Sequence, residues 1–157
     1  MRLSDYTLDV SSADWPHLLR EWAWIFPGSK FTVWFANRFG DVFIVLNDGR
    51  VQCLDLGNGA VEDLAESRSA FADALEDEAN FRDWLLAPLV DALCQGGFAL
   101  APEQCYSFKI LPILGGEYAP SNVAVMSIRE YFSFTASVHK QLVGLPDGTK
   151  VSFKIAD

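Results

Sequence analysis

Residues 31–59 read FTVWFANRFGDVFIVLNDGRVQCLDLGNG, and this stretch decides the fold class. Segments 31–36, 41–46 and 51–56 are rich in aromatic and β-branched residues, the chemistry of half-buried strands. Asn37-Arg38-Phe39-Gly40 separates the first two as a turn, and Asn47-Asp48-Gly49 is a strong hairpin signal before the third. Strands joined by such short turns must pair antiparallel. Val51 and Cys53 alternate with Gln52, which predicts Cys53 as a small inward-facing core residue, and Gly57-Asn58-Gly59 closes the meander.

Upstream, Trp15, Leu18, Leu19, Trp22 and Phe26 recur at three- and four-residue spacing and predict one helix over 14–26. Ser12 or Asp14 caps its start, Pro16 suits its first turn, and Pro27-Gly28 stops it. Downstream, two helices are expected. Phe71, Ala74, Leu75 and Ala79 line the first. Asn80 caps the second, whose stripe of Phe81, Trp84, Leu85, Leu89, Ala92 and Leu93 is kinked or split at Pro88 and ended by Gly96-Gly97.

Residues 98–122, with three prolines and the Gly115-Gly116 pair, read as a long irregular loop. A short strand at 123–126 follows, then a helix opened by Ser127 with Glu130 three residues on and ended near Gly144 and Pro146. Asp147-Gly148 turns the chain into a last strand at 150–155. Helices come in blocks rather than alternating with strands. The prediction is a single α+β domain over 1–157, with helices packed against a mainly antiparallel sheet.

Half of the 157 residues are hydrophobic and only 21% are charged, a composition that builds a core and disfavours disorder. No apolar run approaches the roughly 18–20 residues of a membrane span. Met1-Arg2-Leu3-Ser4-Asp5 lacks the charged-then-apolar pattern of a secretory leader, so the expected compartment is the cytoplasm. Cys53, Cys94 and Cys105 are odd in number and form no CxxC motif, which fits reduced thiols better than a metal site. No metal or other cofactor is expected.

The net charge of −9 is unevenly placed. Ten acidic residues fall between Asp55 and Asp91 against Arg68 and Arg82, so this segment carries −8 of it. Direct nucleic-acid binding, which needs clustered Lys and Arg, is disfavoured. A cationic protein surface would be attracted and steered instead.

Catalytic signatures are absent. There is no Gly-x-Ser-x-Gly elbow, no Walker pattern and no Gly-x-Gly-x-x-Gly. Cys105 with His139 is the Cys/His pairing to test, and an alternative reading places it with Glu117 in a pocket under the 98–122 loop, as a small-ligand protein or enzyme. The leading expectation is a binding protein with no catalytic residues.

The block Cys105-Tyr106-Ser107-Phe108-Lys109, then Leu114-Gly115-Gly116-Glu117-Tyr118 and Asn122, resembles the bacterial family called domain of unknown function 1851, also described as the C-terminal domain of type VI secretion immunity proteins. Supporting matches are Asn37-Arg38-Phe39-Gly40-Asp41, the Asp48-Gly49 hairpin, Leu54-Asp55-Leu56-Gly57, and His139 with Gln141, so that the likeness spans roughly residues 31–157. Larger members carry an additional N-terminal domain. The last helix departs from the pattern, reading Ala136-Ser137-Val138-His139 where a glycine is expected.

The resemblance implies a fold similar to the SMI1/KNR4-like, or SUKH, immunity proteins. It also implies neutralisation of a co-produced toxin, in known relatives a secreted DNase. On that basis Asp73, Glu76, Asp77 and Glu78 are expected to steer the encounter with a basic toxin surface, and Tyr106, Lys109, Glu117 and Tyr118 to supply specific contacts. Tyr106, Gly115, Gly116 and Tyr118 equally suit a second role, fixing the loop against the sheet. Homo-oligomerisation stays open.

Overall fold

The computed structural model describes residues 2–11, 13–26 and 30–145. The predicted strand at 150–155 and the stop at Pro27-Gly28 lie outside them. Within them the chain is α+β. A four-stranded antiparallel meander of Phe31–Ala36 (β1), Val42–Leu46 (β2), Val51–Asp55 (β3) and Ala60–Ala65 (β4) runs in the order β1-β2-β3-β4.

The turn after β1 is a side-chain construction. Asn37 Oδ1 accepts from the Phe39 and Asp41 amides at 3.0 and 3.1 Å, while its Nδ2 donates to Asp41 Oδ2 at 2.9 Å and to Trp84 O at 3.1 Å. One fully buried asparagine thus ties the first hairpin to a helix 47 residues downstream.

β4 was not foreseen. Glu62 and Asp63 interrupt its apolar pattern, and both are exposed on an edge strand, where charge discourages pairing with another chain. Its register is set by β3, with Cys53 opposite Glu62 and Gln52 opposite Asp63; Gln52 Nε2 donates to Asp63 Oδ1 at 2.7 Å.

Three helices follow where two were expected: Arg68–Leu75 (α2), Glu78–Leu85 (α3) and Ala87–Gln95 (α4), the label α1 being kept for Trp15–Leu18. Ser67 caps α2. Asp77, rather than Asn80, caps α3, accepting from the Ala79 and Asn80 amides at 2.9 and 3.2 Å. Pro88 does split the second predicted helix. It sits in the first turn of α4, and Leu86 takes a left-handed conformation (φ 51°) at the junction.

The 98–122 segment is not all loop. Gln104–Phe108 (β5) pairs antiparallel with Val123–Ser127 (β6), from Gln104 opposite Ser127 to Phe108 opposite Val123. The Tyr106 amide donates to Arg38 O at 2.8 Å and joins this ribbon to the meander's first turn. Both faces of β5 are covered, so it lacks the alternation that marks a half-buried strand. Ser127 then caps Ile128–Leu142 (α5) as predicted, accepting from the Glu130 amide at 3.0 Å.

The predicted helix over 14–26 is instead the single turn α1 followed by a 3₁₀ stretch at Arg20–Ile25. There Trp22 is fully buried, stacks on Trp24 with ring centroids 5.8 Å apart, and donates from Nε1 to Phe132 O in α5 at 3.1 Å. The core is continuous between the two sheets and their helices. Phe35 and Phe43 stack at 4.3 Å, Phe71 meets Phe43 edge-on at 5.8 Å, and Phe71 stacks on Trp84 at 5.2 Å.

Candidate functional site

A cleft of about 620 Å³ opens between the meander, the α3–α4 corner and the segment after β5. Its sheet side carries Asp41, Cys53, Asp55 and Glu62; α3 supplies Arg82, Asp83 and Trp84; Phe108 and Tyr118 close the far side. The strand register accounts for the sheet side, because Cys53 stands opposite Glu62 and one position along the same face from Asp55. Cys53 is half-buried and packs against the core as expected, and it also lines the cleft, which the sequence reading does not show.

Asp41 is the most constrained group here. Its Oδ1 accepts from the Leu56 amide at 2.9 Å and its Oδ2 from Asn37 Nδ2 at 2.9 Å. Burial pushes its carboxyl well above the usual range, and the neighbouring Asp55 charge adds to that, while the two hydrogen bonds pull the other way. Burial, followed by the charges of Asp41, Asp55 and Glu62, likewise pushes the Cys53 thiol well up, so it is a poor nucleophile. Asp55 holds the β3–β4 turn, accepting from the Asn58 amide at 3.1 Å and from Asn58 Nδ2 at 2.8 Å. Asn58 Nδ2 in turn reaches Tyr118 Oη at 3.2 Å.

The 110–118 segment is pinned by Asn122. Its Oδ1 accepts from the Ile110 amide and its Nδ2 donates to Ile110 O and Glu117 O, each at 2.9 Å. Gly116 has no room for a side chain, since a Cβ there would fall on the Ile110 carbonyl. The segment leaves Ile110, Ile113, Leu114 and Tyr118 exposed, with Tyr118 at 51%. Together these four form an exposed apolar ridge along the segment.

The predicted contact residues separate into three groups. Asp73, Glu76, Asp77 and Glu78 are all exposed on α2, α3 and the turn between them, with Asp77 also serving as a cap. Lys109, Glu117 and Tyr118 are exposed around the ridge, and of these only Tyr118 reaches the cleft. Tyr106 is fully buried and donates its hydroxyl to Phe98 O at 2.7 Å. It cannot touch a partner; a tyrosine on a strand covered on both faces belongs to the core, as the second role allowed.

Cys105, His139 and Glu117 do not assemble. Cys105 is buried behind Gly40, Glu117 is exposed, and none of the three lines the cleft. His139 is buried, with Nε2 2.6 Å from Leu56 O, so Nε2 carries the proton and donates to that carbonyl. Gly59 lies directly under its ring (φ 64°), so α5 clamps the β3–β4 turn and with it the cleft.

Burial holds the His139 imidazole below its ordinary range. The unfolded chain therefore binds this proton more readily, and the residue's contribution is full above the unfolded pKa of about 6.5 and lost as pH falls through the folded value. We expect His139→Gln, which retains a donor toward Leu56, to show a flatter loss of unfolding free energy between pH 7 and 5 than the parent. Parallel curves would refute this.

Residues 65–139 match the family described as T6SS immunity protein Tdi1, C-terminal. The matched segment is just under half of the chain, and it makes the chain similar to this immunity family there. The match is narrower than the sequence resemblance and covers α2, α3, α4, β5, the ridge, β6 and most of α5, leaving the meander outside it except for Ala65 at the end of β4. The chain is also similar in fold to the crystal structure of Atu4351 from Agrobacterium tumefaciens, with a TM-score of 0.50 and 19% identity. That likeness covers 74% of this chain and 61% of the other, so the chain spans less than two thirds of its solved relative. No curated protein matches the chain.

Most cleft residues were missed because they are scattered from Asp41 to Tyr118 and are adjacent only through strand register and the α3–α4 corner. The one local signal was Asp55-Leu56-Gly57-Asn58, an Asx-type turn that fixes a carboxylate at the end of a strand.

Proposed function

We propose that this chain is a type VI secretion immunity protein that acts in the cytoplasm by binding a cognate secreted toxin and occluding its active cleft, without catalysis of its own. The carrying observation is the family match, whose segment contains the exposed carboxylates Asp73, Glu76, Asp77 and Glu78 on consecutive elements. A toxin that acts on DNA must present a cationic groove to phosphate, and an acidic protein surface competes for the same groove. That chemistry favours a nuclease as the cognate toxin, and it makes the acidic face a steering surface rather than a nucleic-acid site.

The reading predicts a toxin-like reading frame beside the gene, and the test uses its product. Asp73→Lys with Glu76→Lys is preferred to any change at Asp77, whose carboxylate caps α3. The double reversal is expected to slow association about ten-fold or more at low salt and to flatten its salt dependence, with dissociation little changed. An unchanged association rate across the salt range would remove the steering claim. Failure of the unmodified protein to inhibit or bind that toxin would remove the function itself.

A further inference from the structure

The cleft has properties that the steering surface does not explain. Asp41, Asp55, Glu62 and Asp83 converge on it, and among the described residues none of them forms an ion pair; the ion pairs found join Arg50 to Asp48 and Asp63. Arg82 lines the same space without pairing. Glu62 and Asp83 are exposed at the cleft, so the acceptor positions of their carboxylates face it unfilled by a cation among the described residues of this chain. Trp84, Phe108 and Tyr118 add aromatic surface to the same walls, the lining that best accommodates a flat cation.

The surroundings indicate what carries that cation. The exposed ridge of Ile110, Ile113 and Leu114 continues into Tyr118, which belongs to ridge and cleft alike. It is tied to the cleft turn by the Ile113 amide, which donates to Gly57 O at 3.4 Å, and by the Asn58–Tyr118 bond. An apolar strip continuous with a charged pocket suits a protein surface that presents one long cationic side chain beside apolar neighbours.

We infer that the cleft between the meander and α3 is a socket for a cationic side chain of the partner protein, with arginine as the fitting chemistry. A guanidinium matches paired carboxylates bidentately and stacks on aromatic faces, which a compact ammonium does less well. The inference rests on the toxin-binding reading for its partner, but the socket is testable without any toxin.

The probe is acetyl-arginine amide, titrated into ¹⁵N-labelled protein and followed by amide and indole shifts, with acetyl-citrulline amide as the uncharged isostere. Saturable shifts confined to the cleft, including the Trp84 indole, are expected with the arginine probe at about millimolar affinity, and none with citrulline. Glu62→Gln with Asp83→Asn removes two exposed carboxylates that hold no structural hydrogen bond. It is expected to weaken the probe about ten-fold at an unchanged melting temperature. Glu66→Gln with Glu130→Gln removes the same charge elsewhere and is expected to leave affinity within about two-fold.

Equal binding of citrulline, shifts away from the cleft, or equal weakening by both double variants would overturn the socket. The same pair of variants, assayed for inhibition of the neighbouring toxin, separates the two claims. If Glu62→Gln with Asp83→Asn inhibits as well as the parent, the socket is not the toxin contact, while the immunity reading stands. If the probe binds as expected but the parent protein inhibits nothing, the immunity reading fails and the socket remains.

Discussion

Replacing Asn37 with alanine is expected to cost about 3–5 kcal/mol of folding free energy, measured by urea denaturation. The side chain is fully buried and serves four partners: the amides of Phe39 and Asp41, Asp41 Oδ2 and Trp84 O. Truncation leaves these groups without a substitute, and each orphaned buried group costs about 1–3 kcal/mol. The total stays at or just below the low end of four such costs because the Trp84 carbonyl lies near a helix end and Asp41 can relax toward the cleft. Asn37→Asp keeps an acceptor for the two amides but sets a second carboxylate against Asp41, so it is expected to be destabilising as well, and more so as pH rises. A loss below about 1 kcal/mol for the alanine variant would show that the turn holds without its asparagine.

The second large effect is expected at Gly116. A methyl group there must displace the Ile110 carbonyl, which is backbone and already engaged by Asn122 Nδ2. Overpacking against a fixed backbone costs about 1–3 kcal/mol, and more where a hydrogen-bonded clamp is broken with it. Gly116→Ala is therefore expected to lose about 3 kcal/mol and to release protection of the Ile110 amide in hydrogen exchange. Gly115→Ala is the informative neighbour. Gly115 takes φ 90° but has open space around it, so the change is expected to cost only the left-handed strain of about 1–2 kcal/mol. If both alanines behave alike, the close approach at Gly116 is not what shapes the ridge.

Both predictions concern residues whose type was visible in the sequence but whose partners were not. Asn37-Arg38-Phe39-Gly40 was readable as a turn, yet nothing local showed that its asparagine reaches Trp84. Gly115-Gly116 was readable as a tight bend, but the two glycines serve different needs, one of conformation and one of space. The cap of α3 shows the same limit at short range. Asn80 and Asp77 are both good capping residues, and the helix begins at Glu78 because Asp77 takes the extended conformation that lets its carboxylate reach the Ala79 and Asn80 amides.

Period and punctuation in the sequence settled what depends on neighbours along the chain. These were the first three strands, the Ser127 cap and helix α5, the stop at Gly96-Gly97 and the concentration of charge between Asp55 and Asp91. Interactions across the chain settled the rest. β4 is strand because β3 has an edge to fill, in spite of Glu62 and Asp63. β5 is strand because β6 and the Arg38 carbonyl pair with it on either side, although its residues carry no alternation. Tyr106 is core for the same reason. The cleft belongs wholly to this second class, since its four carboxylates come from the meander's first turn, two strands and α3, and only pairing register brings them to one space. A hydrogen bond or a charge contact between distant residues leaves no periodic trace in sequence, because the geometry that satisfies it is made only when the sheet is assembled.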